Sequence, residues 1–516
     1  MLRFARLPMR TLLTMTLALS FVSSVMAATC ESFASLSLPQ TVIYHATTVA
    51  AGAFRTPPNP TQQPWAGSAE VPPEKLPAFC EVAMTISPVP DSEIRVELTL
   101  PLTGWNGKFL VVGNGGTAGQ VNWRAMSGPL SRGYAVASTD TGHSSTVNGD
   151  TSWALGHPQK VIDHAWRSVH ETTVKSKLVI AAFYGRPPRF SYFNGSSTGG
   201  RQGLTEAQRF PEDFDGIVVG AADYSRHIDL GQFFAAPAAI RDKAATPLSP
   251  AKAALLNNAV LKACDTLDGV RDGVIENPMK CHFDPGALRC KDDAGASDCL
   301  TGGEVTMARV MYGPVANSLT KAAITPGYAA GSELNWRYEG ERVPGTYVAR
   351  MLLQKPQLDH PFNFGSDVEM LDKADAEGPR TNATDPNLTP FFQRGGKLLQ
   401  VHGWADPQIP SLNSIEYYES VLKTMGDTPK TRDSYRLFMV PGMYHSRGGV
   451  GINDFDSIAV MEEWREQGKA PDRIEGRRVV DGKTARTRPL CPWPQVAVYS
   501  GAGSTDESAN FACKVK

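Results

Sequence analysis

The sequence predicts an α/β fold: a parallel sheet covered on both faces by helices, interrupted by one large insertion. Three observations carry this. Short continuous apolar runs bounded by glycine recur along the chain, and a strand apolar at every position is buried on both faces. Stretches with helical spacing of apolar residues lie between these runs. One run, Arg189-Phe190-Ser191-Tyr192-Phe193, leads into Gly195-Ser196-Ser197-Thr198-Gly199 and then into a helix-like stretch over 200–210.

Taken in order, residues 107–113 read as a buried strand ending in the glycine loop Gly113-Asn114-Gly115-Gly116. Residues 133–138 read as a second strand. Residues 157–182 have helical spacing and are closed by Gly185. The next strand is expected at 215–220. Much later come strands at 397–403 and 435–440. Between them, roughly 225–390 is irregular, rich in aromatics and prolines, and carries four of the eight cysteines. It reads as an inserted lid. The expected division is a leader over 1–27, a first core part over 28–224, the lid over 225–390 and a second core part over 391–516.

The first residues have the pattern of an export signal. Arg3, Arg6 and Arg10 precede an apolar stretch over 12–22 that is too short to span a bilayer. Val25-Met26-Ala27 fits a cleavage site, which puts the mature start at Ala28. Cys30 as a lipoprotein cysteine fits its flanking residues poorly. Losing three arginines and no acids takes the net charge from −1 to −4, so no basic footprint for nucleic acid exists. Secreted or periplasmic residence means an oxidising compartment. The eight cysteines, Cys30, Cys80, Cys264, Cys281, Cys290, Cys299, Cys491 and Cys513, then read as disulfides. Their clustering favours sequence neighbours, although pairing is not deducible from spacing alone. No C-x-x-C pair suggests metal ligation by thiolates.

A G-x-S-x-G on a strand-to-helix turn is a nucleophile elbow, which specifies the class further as an α/β-hydrolase fold with a large inserted lid domain. In that fold the acid and the histidine follow the last strands. Here Asp406 follows the strand 397–403, and His445 follows the strand 435–440. Ser197, Asp406 and His445 are therefore the candidate nucleophile, orienting acid and general base. Alone, Asp406 reads better as a helix cap and His445 as a satisfied loop residue; joint placement after successive strands reverses that and points to chemistry. The oxyanion hole is expected from the backbone N–H groups of Thr198 and Gly113. The glycine loop lacks the Lys-Ser/Thr of a P-loop and the spacing of a dinucleotide fingerprint.

In the lid, Asp265, Asp268 and Asp272 lie within eight residues, with Gly269 among them and Gly273 directly after. Oxygen donors at this density suit calcium, with Val270 and Val274 ligating through their carbonyls. The spacing is not that of an EF-hand, and a solvated acidic turn explains the stretch equally well. Asn194, Asn382 and Asn387 head glycosylation sequons, of which the first falls inside the elbow.

These motifs together resemble the tannase/feruloyl esterase family, which includes mono(2-hydroxyethyl) terephthalate hydrolase-like enzymes. The resemblance rests on Trp105-Asn106-Gly107-Lys108-Phe109, the glycine loop, Ser197-Thr198-Gly199-Gly200-Arg201-Gln202-Gly203, Arg209-Phe210-Pro211, Cys264-Asp265 through Ile275, His402-Gly403 with Asp406, Pro441-Gly442-Met443 with His445, and Arg488-Pro489-Leu490-Cys491-Pro492. It implies the triad, a lid, structural Ca2+ in the 265–274 loop and neighbour disulfides 30–80, 264–281, 290–299 and 491–513. It also implies a secreted serine esterase acting on esters of aromatic carboxylic acids. Feruloyl esters come first, with gallate esters and terephthalate monoesters as alternatives. A catalytically inactive calcium-dependent binding module and a peptidase on the same fold are the rivals. The expected partner is a small aromatic ester, with no nucleic acid and no membrane.

The family usually has one cysteine just before the nucleophile and another just after the histidine, joined behind the triad. This chain has Ser196 and Ser446 there. The two serines are expected in contact, with His445 held less firmly. Candidate lid contacts to an aromatic acyl group are Trp336, Tyr338, Tyr347, Phe362, Phe364, Phe391 and Phe392, and Arg337 or Arg350 for a carboxylate.

Overall fold

The computed structural model describes Met1 and residues 29–55, 70–145, 147, 149–292, 297–338 and 346–515. The expected leader and its cleavage point lie outside the described residues, Met1 aside.

Nine strands form one sheet. In chain order they are β1 (Thr41–Val49), β2 (Phe79–Ile86), β3 (Ile94–Pro101), β4 (Lys108–Val112), β5 (Ala135–Thr139), β6 (Phe190–Ser196) and β7 (Gly216–Gly220), then, after the short pair β8 (Val315–Ala316) and β9 (Ala323–Thr325), β10 (Lys397–Gly403) and β11 (Tyr435–Val440). Their order across the sheet is β1-β2-β3-β5-β4-β6-β7-β10-β11. The strands from β1 to β5 pair antiparallel. From β5 onward every pairing is parallel.

The central strands are apolar throughout because both faces are covered. Phe109 and Val111 of β4 enter one core cluster, Leu110 and Val112 the other. On β10, Leu399 and Val401 lie in one cluster, whereas Leu398 lies in the opposite one. Alternation places Gln400 and His402 on the side of Leu398. Both are completely buried, so each must find hydrogen-bond partners there.

Among the helices are α1 (Trp123–Ser131), α2 (Pro158–Ile162), α3 (Ser168–Tyr184) and α4 (Thr198–Arg209). The continuous helix expected over 157–182 is instead α2 and α3 joined by a π-helical stretch, Asp163–Arg167. That wider turn carries buried polar side chains: Asp163 accepts from Ser92 Oγ at 2.7 Å and Arg167 Nε at 2.6 Å. Gly185 closes α3 with φ +70°, the left-handed cap the sequence called for.

The segment between β7 and β10 builds two apolar clusters of its own. One gathers Leu256, Val260, Met307 and Trp336. The other gathers Leu230, Val348, Met351 and Leu371 with Ala154 and Val161 from before the nucleophile strand. Four disulfides join sequence neighbours, Cys30–Cys80, Cys264–Cys281, Cys290–Cys299 and Cys491–Cys513, as the family resemblance implied. Among the described residues no helix is long and apolar enough to cross a membrane.

Candidate active site

Ser197 stands between β6 and α4 with φ +63° and ψ −122°, a backbone conformation that L-residues rarely adopt. The turn closes tightly enough to require its glycines. A Cβ on Gly195 would lie 2.7 Å from the Gly199 carbonyl oxygen, and one on Gly199 would lie 2.8 Å from that of Asn114. The elbow is pinned on both sides. The Ser197 N–H donates to Gly220 O at 2.9 Å, and its carbonyl accepts from the N–H groups of Arg201 and Asp223 at 3.1 Å each. The sequon residue Asn194 is buried within β6.

β10 and β11 carry the other two candidates. Their register pairs Gly403 with Val440. Beyond it, Trp404 N–H donates to Val440 O at 2.9 Å and Ala405 N–H to Met443 O at 3.1 Å. Gly403 permits this crossing, since a Cβ there would meet Met443 O at 2.3 Å. The stitched loops bring His445 Nδ1 to 2.7 Å from Asp406 Oδ2. The other oxygen, Oδ1, accepts from the N–H groups of Gln408 at 2.7 Å and Ile409 at 3.0 Å. His402 Nε2 is a further partner of Oδ2, at 3.1 Å. Burial by itself would raise the Asp406 carboxyl. The charge of His445 and the bonds from both imidazoles outweigh it and hold the group below the usual carboxylate range.

Ser196 and Ser446, the neighbours of Ser197 and His445, share a hydroxyl–hydroxyl hydrogen bond and are both buried. This contact was expected, and it brings the nucleophile strand and the histidine loop together across 250 residues of sequence. Replacing both by cysteine closes that long loop covalently. Under oxidising conditions the Ser196→Cys/Ser446→Cys protein gains about 2–4 kcal/mol and melts several degrees higher. With parent and variant both in reductant, the difference between them disappears. A thermal scan in which the oxidised form melts no higher sinks the prediction.

The glycine loop corrects one expectation. The Gly113 N–H is committed to Asn194 O at 2.9 Å, because the loop continues the β4–β6 ladder by one bond. Asn114 N–H is committed as well, to Gln202 Oε1 at 3.1 Å. The next amide, Gly115 N–H, has no hydrogen-bond partner among the described residues. Thr198 Oγ1 donates to Gly116 O at 2.5 Å, holding the loop against the start of α4.

In the insertion, the loop after the helix Pro250–Cys264 is curled by Gly269 at φ +98° and Gly273 at φ +78°. The Asp265 carboxylate accepts from the N–H groups of Asp272 at 3.2 Å and Gly273 at 3.1 Å. Asp268 accepts from Val270 at 2.9 Å, and Asp272 from Val274 at 3.2 Å. Asp272 Oδ2 also takes Arg486 at 2.9 Å and a bond from Arg488. Arg488 belongs to the motif Arg488-Pro489-Leu490-Cys491-Pro492, whose spacing alone gives it no role. Three carboxylates are hard-oxygen donors of the kind calcium takes, but here each accepts from protein donors and the three are not gathered around one point.

The aromatic candidates divide. Phe391 is wholly buried in the sheet core with Phe392, so the two are core residues rather than ligand contacts. Trp336 packs edge-on to Tyr312 at 5.0 Å, and Phe362 lies against Phe234 at 4.4 Å. Tyr338 packs at the edge of the first insertion cluster and Phe364 at the edge of the second. Tyr347 OH accepts from the buried Arg226 at 2.7 Å. Arg350 Nε donates to Pro356 O at 3.1 Å, and Arg337 is exposed.

Residues 80–514 match the family model described as tannase and feruloyl esterase. An uncharacterised esterase of Xanthomonas campestris is 36% identical over 98% of this chain and 94% of its own. Mono(2-hydroxyethyl) terephthalate hydrolase of Piscinibacter sakaiensis is 34% identical over 85% of each chain. The crystal structure of feruloyl esterase B from Aspergillus oryzae superposes with a TM-score of 0.81 at 27% identity, covering 94% of this chain and 99% of that one. The chain belongs to the tannase and feruloyl esterase family and is a carboxylic ester hydrolase with the α/β-hydrolase fold.

Proposed function

We propose that the protein is an exported serine esterase that hydrolyses esters of aromatic carboxylic acids through an acyl-enzyme. The observation that carries the reading is the junction at which Asp406 holds His445 while Ser196 and Ser446 bond behind them. Ser197 Oγ attacks the ester carbonyl. With Nδ1 engaged by Asp406, His445 takes the serine proton at Nε2 and passes it to the departing alcohol. Water then attacks the acyl-enzyme, again losing its proton to His445, and the free acid leaves as Ser197 is restored. The negative oxygen of each tetrahedral intermediate meets the N–H groups of Thr198 and Gly115, the second replacing the occupied Gly113. Residues 225–390 act as the lid over the aromatic acyl group.

Feruloyl and related hydroxycinnamoyl esters are the first choice of substrate. The likeness to a terephthalate monoester hydrolase over most of both chains supports a second reading. A panel of methyl ferulate, methyl gallate and a terephthalate monoester separates them. Methyl ferulate is expected to give the highest kcat/KM, by about tenfold or more. A higher value for either other ester moves the assignment to that class. Hydrolysis of none of the three overturns the reading.

Ca2+ held by Asp265, Asp268 and Asp272 with the carbonyls of Val270 and Val274 is a structural element of the proposal. Bound there, it neutralises the carboxylates and stiffens the loop beside the Cys264–Cys281 bridge. Because a ligand that binds only the folded state stabilises it, dialysis against EDTA lowers the melting temperature by several degrees and added calcium restores it. Asp268→Asn blunts both responses. A melting temperature indifferent to EDTA and calcium rules out the site. Four disulfides and the leader-like first residues support export.

A further inference from the structure

Asp406 Oδ2 has two imidazole partners, and the mechanism uses only one. His402 lies on β10, four residues before Asp406, and is completely buried. Its Nε2 is 3.1 Å from Asp406 Oδ2 and its Nδ1 is 2.7 Å from Ser414 Oγ, on the helix Leu412–Met425. Ser414 Oγ lies 2.8 Å from Gln400 Nε2, and Gln400 Oε1 accepts from the Tyr435 hydroxyl. Gln400, Ser414 and Tyr435 are also completely buried.

The proton direction along this chain follows from its acidic end. An ionised carboxylate only accepts, so His402 must present N–H at Nε2. A neutral imidazole with that proton accepts at Nδ1, so the Ser414 hydroxyl donates to it. The serine oxygen can then only accept, and it does so from the Gln400 amide. The remaining oxygen of Gln400 takes the Tyr435 O–H. Every link has one consistent polarity, and the chain ends on a phenol that burial keeps protonated.

Reversing the chain would require a second charge on the buried His402. The charged or titratable groups facing Asp406 are then His445, His402 and Tyr328, whose hydroxyl donates to Gln408 O at 3.0 Å.

We infer that His402 is a positioning residue of the hydrolytic site. It is a neutral imidazole, held as the Nε2–H tautomer by the Ser414–Gln400–Tyr435 chain, and it fixes the Asp406 oxygen to which His445 is bound. The inference rests on the Ser197–His445–Asp406 reading above. Its physical content is twofold. The second N–H stops the carboxylate from turning away from His445, and it drains part of the charge that faces the imidazolium. The device matters more in a chain where the nucleophile and histidine loops are joined by two hydroxyls rather than a covalent bridge.

The test compares His402→Phe, His402→Gln and Ser414→Ala with the parent, using p-nitrophenyl acetate as the probe. His402→Phe removes both nitrogens; His402→Gln keeps an N–H directed at Asp406. In His402→Phe, kcat is expected to fall about 10- to 100-fold with KM within about threefold, and the acid limb of the kcat/KM profile to move to higher pH by roughly half a unit. His402→Gln recovers most of the loss. Ser414→Ala, which removes the donor at Nδ1 and leaves the tautomer held by Asp406 alone, shifts kcat and the limb the same way by a smaller factor of about 3 to 10.

A folded His402→Phe protein with parental kcat and acid limb overturns the inference. So does a His402→Gln protein as impaired as His402→Phe, since that pattern marks a role in packing alone. If His402→Phe does not fold, Ser414→Ala decides, and an unaltered kcat and profile there overturns it. Failure of the triad reading shows up separately, as retained activity in Ser197→Ala.

Discussion

Ser197→Ala is expected to lower kcat/KM by about 10^4- to 10^6-fold while leaving the fold intact. The reasoning is geometric. The strained backbone at residue 197 is held by bonds from its own N–H to Gly220 O and to its own carbonyl from Arg201 and Asp223. None of these uses the side chain. Alanine therefore keeps the elbow, the start of α4 and the Thr198 amide, and loses only the hydroxyl that forms the acyl bond. The residual rate is whatever the two amide donors and substrate binding supply on their own. The measurement is the rapid product burst with a chromogenic acyl ester, followed by the steady-state rate. The parent protein shows acylation and the variant shows none. A variant that retains even a tenth of the parental rate would falsify the nucleophile assignment. Loss of rate together with a collapsed melting transition would point to the elbow's structure instead, which is why both are recorded.

Asp406→Asn carries the second large effect, about 10^4-fold in kcat at neutral pH. This carboxylate accepts four bonds: two at Oδ1 from Gln408 and Ile409, and two at Oδ2 from His445 and His402. An amide cannot accept at both ends. The backbone donors hold its oxygen on their side, so its NH2 faces two imidazoles. His445 must then accept at Nδ1, which puts its proton on Nε2, where it can no longer take one from Ser197. His402 is simultaneously left with a buried N–H facing a donor, a loss of about 1–3 kcal/mol. The variant is thus expected to be both nearly inactive and several degrees less stable, whereas Ser197→Ala loses activity alone. Equal melting temperatures for the two variants would sink the four-bond account of Asp406, even if both lacked activity.

The parts legible in the sequence share a physical character. Buried strands announce themselves as apolar runs, so β10 and the strand 435–440 were readable residue by residue. The elbow was readable because a strained turn between strand and helix tolerates little besides its glycines. The disulfide pairs were carried by the family resemblance and agree with the clustering of the cysteines. What failed had a different origin. Gly113 was a reasonable oxyanion donor from its place after β4, but its amide is spent on the neighbouring strand. Phe391 and Phe392 looked like lid aromatics and turned out to lie in the sheet core. The alternation of Gln400 and His402 with Leu399 and Val401 was visible and was the one available signal for a buried polar chain on β10.

The amino-acid order by itself determined where the parallel strands lie, which turn is strained, and which serine, acid and histidine stand at strand ends, because each of these depends on residues adjacent in the chain; the antiparallel strands β1, β2 and β3 were not read from it. Tertiary structure decided which amides remain free, which oxygen of Asp406 takes two imidazoles, and that Arg486 and Arg488 reach Asp272. Those outcomes depend on the register and crossing of segments, from the 39 residues between Asp406 and His445 to the 216 between Asp272 and Arg488, where a shift of one residue exchanges every donor for a different partner.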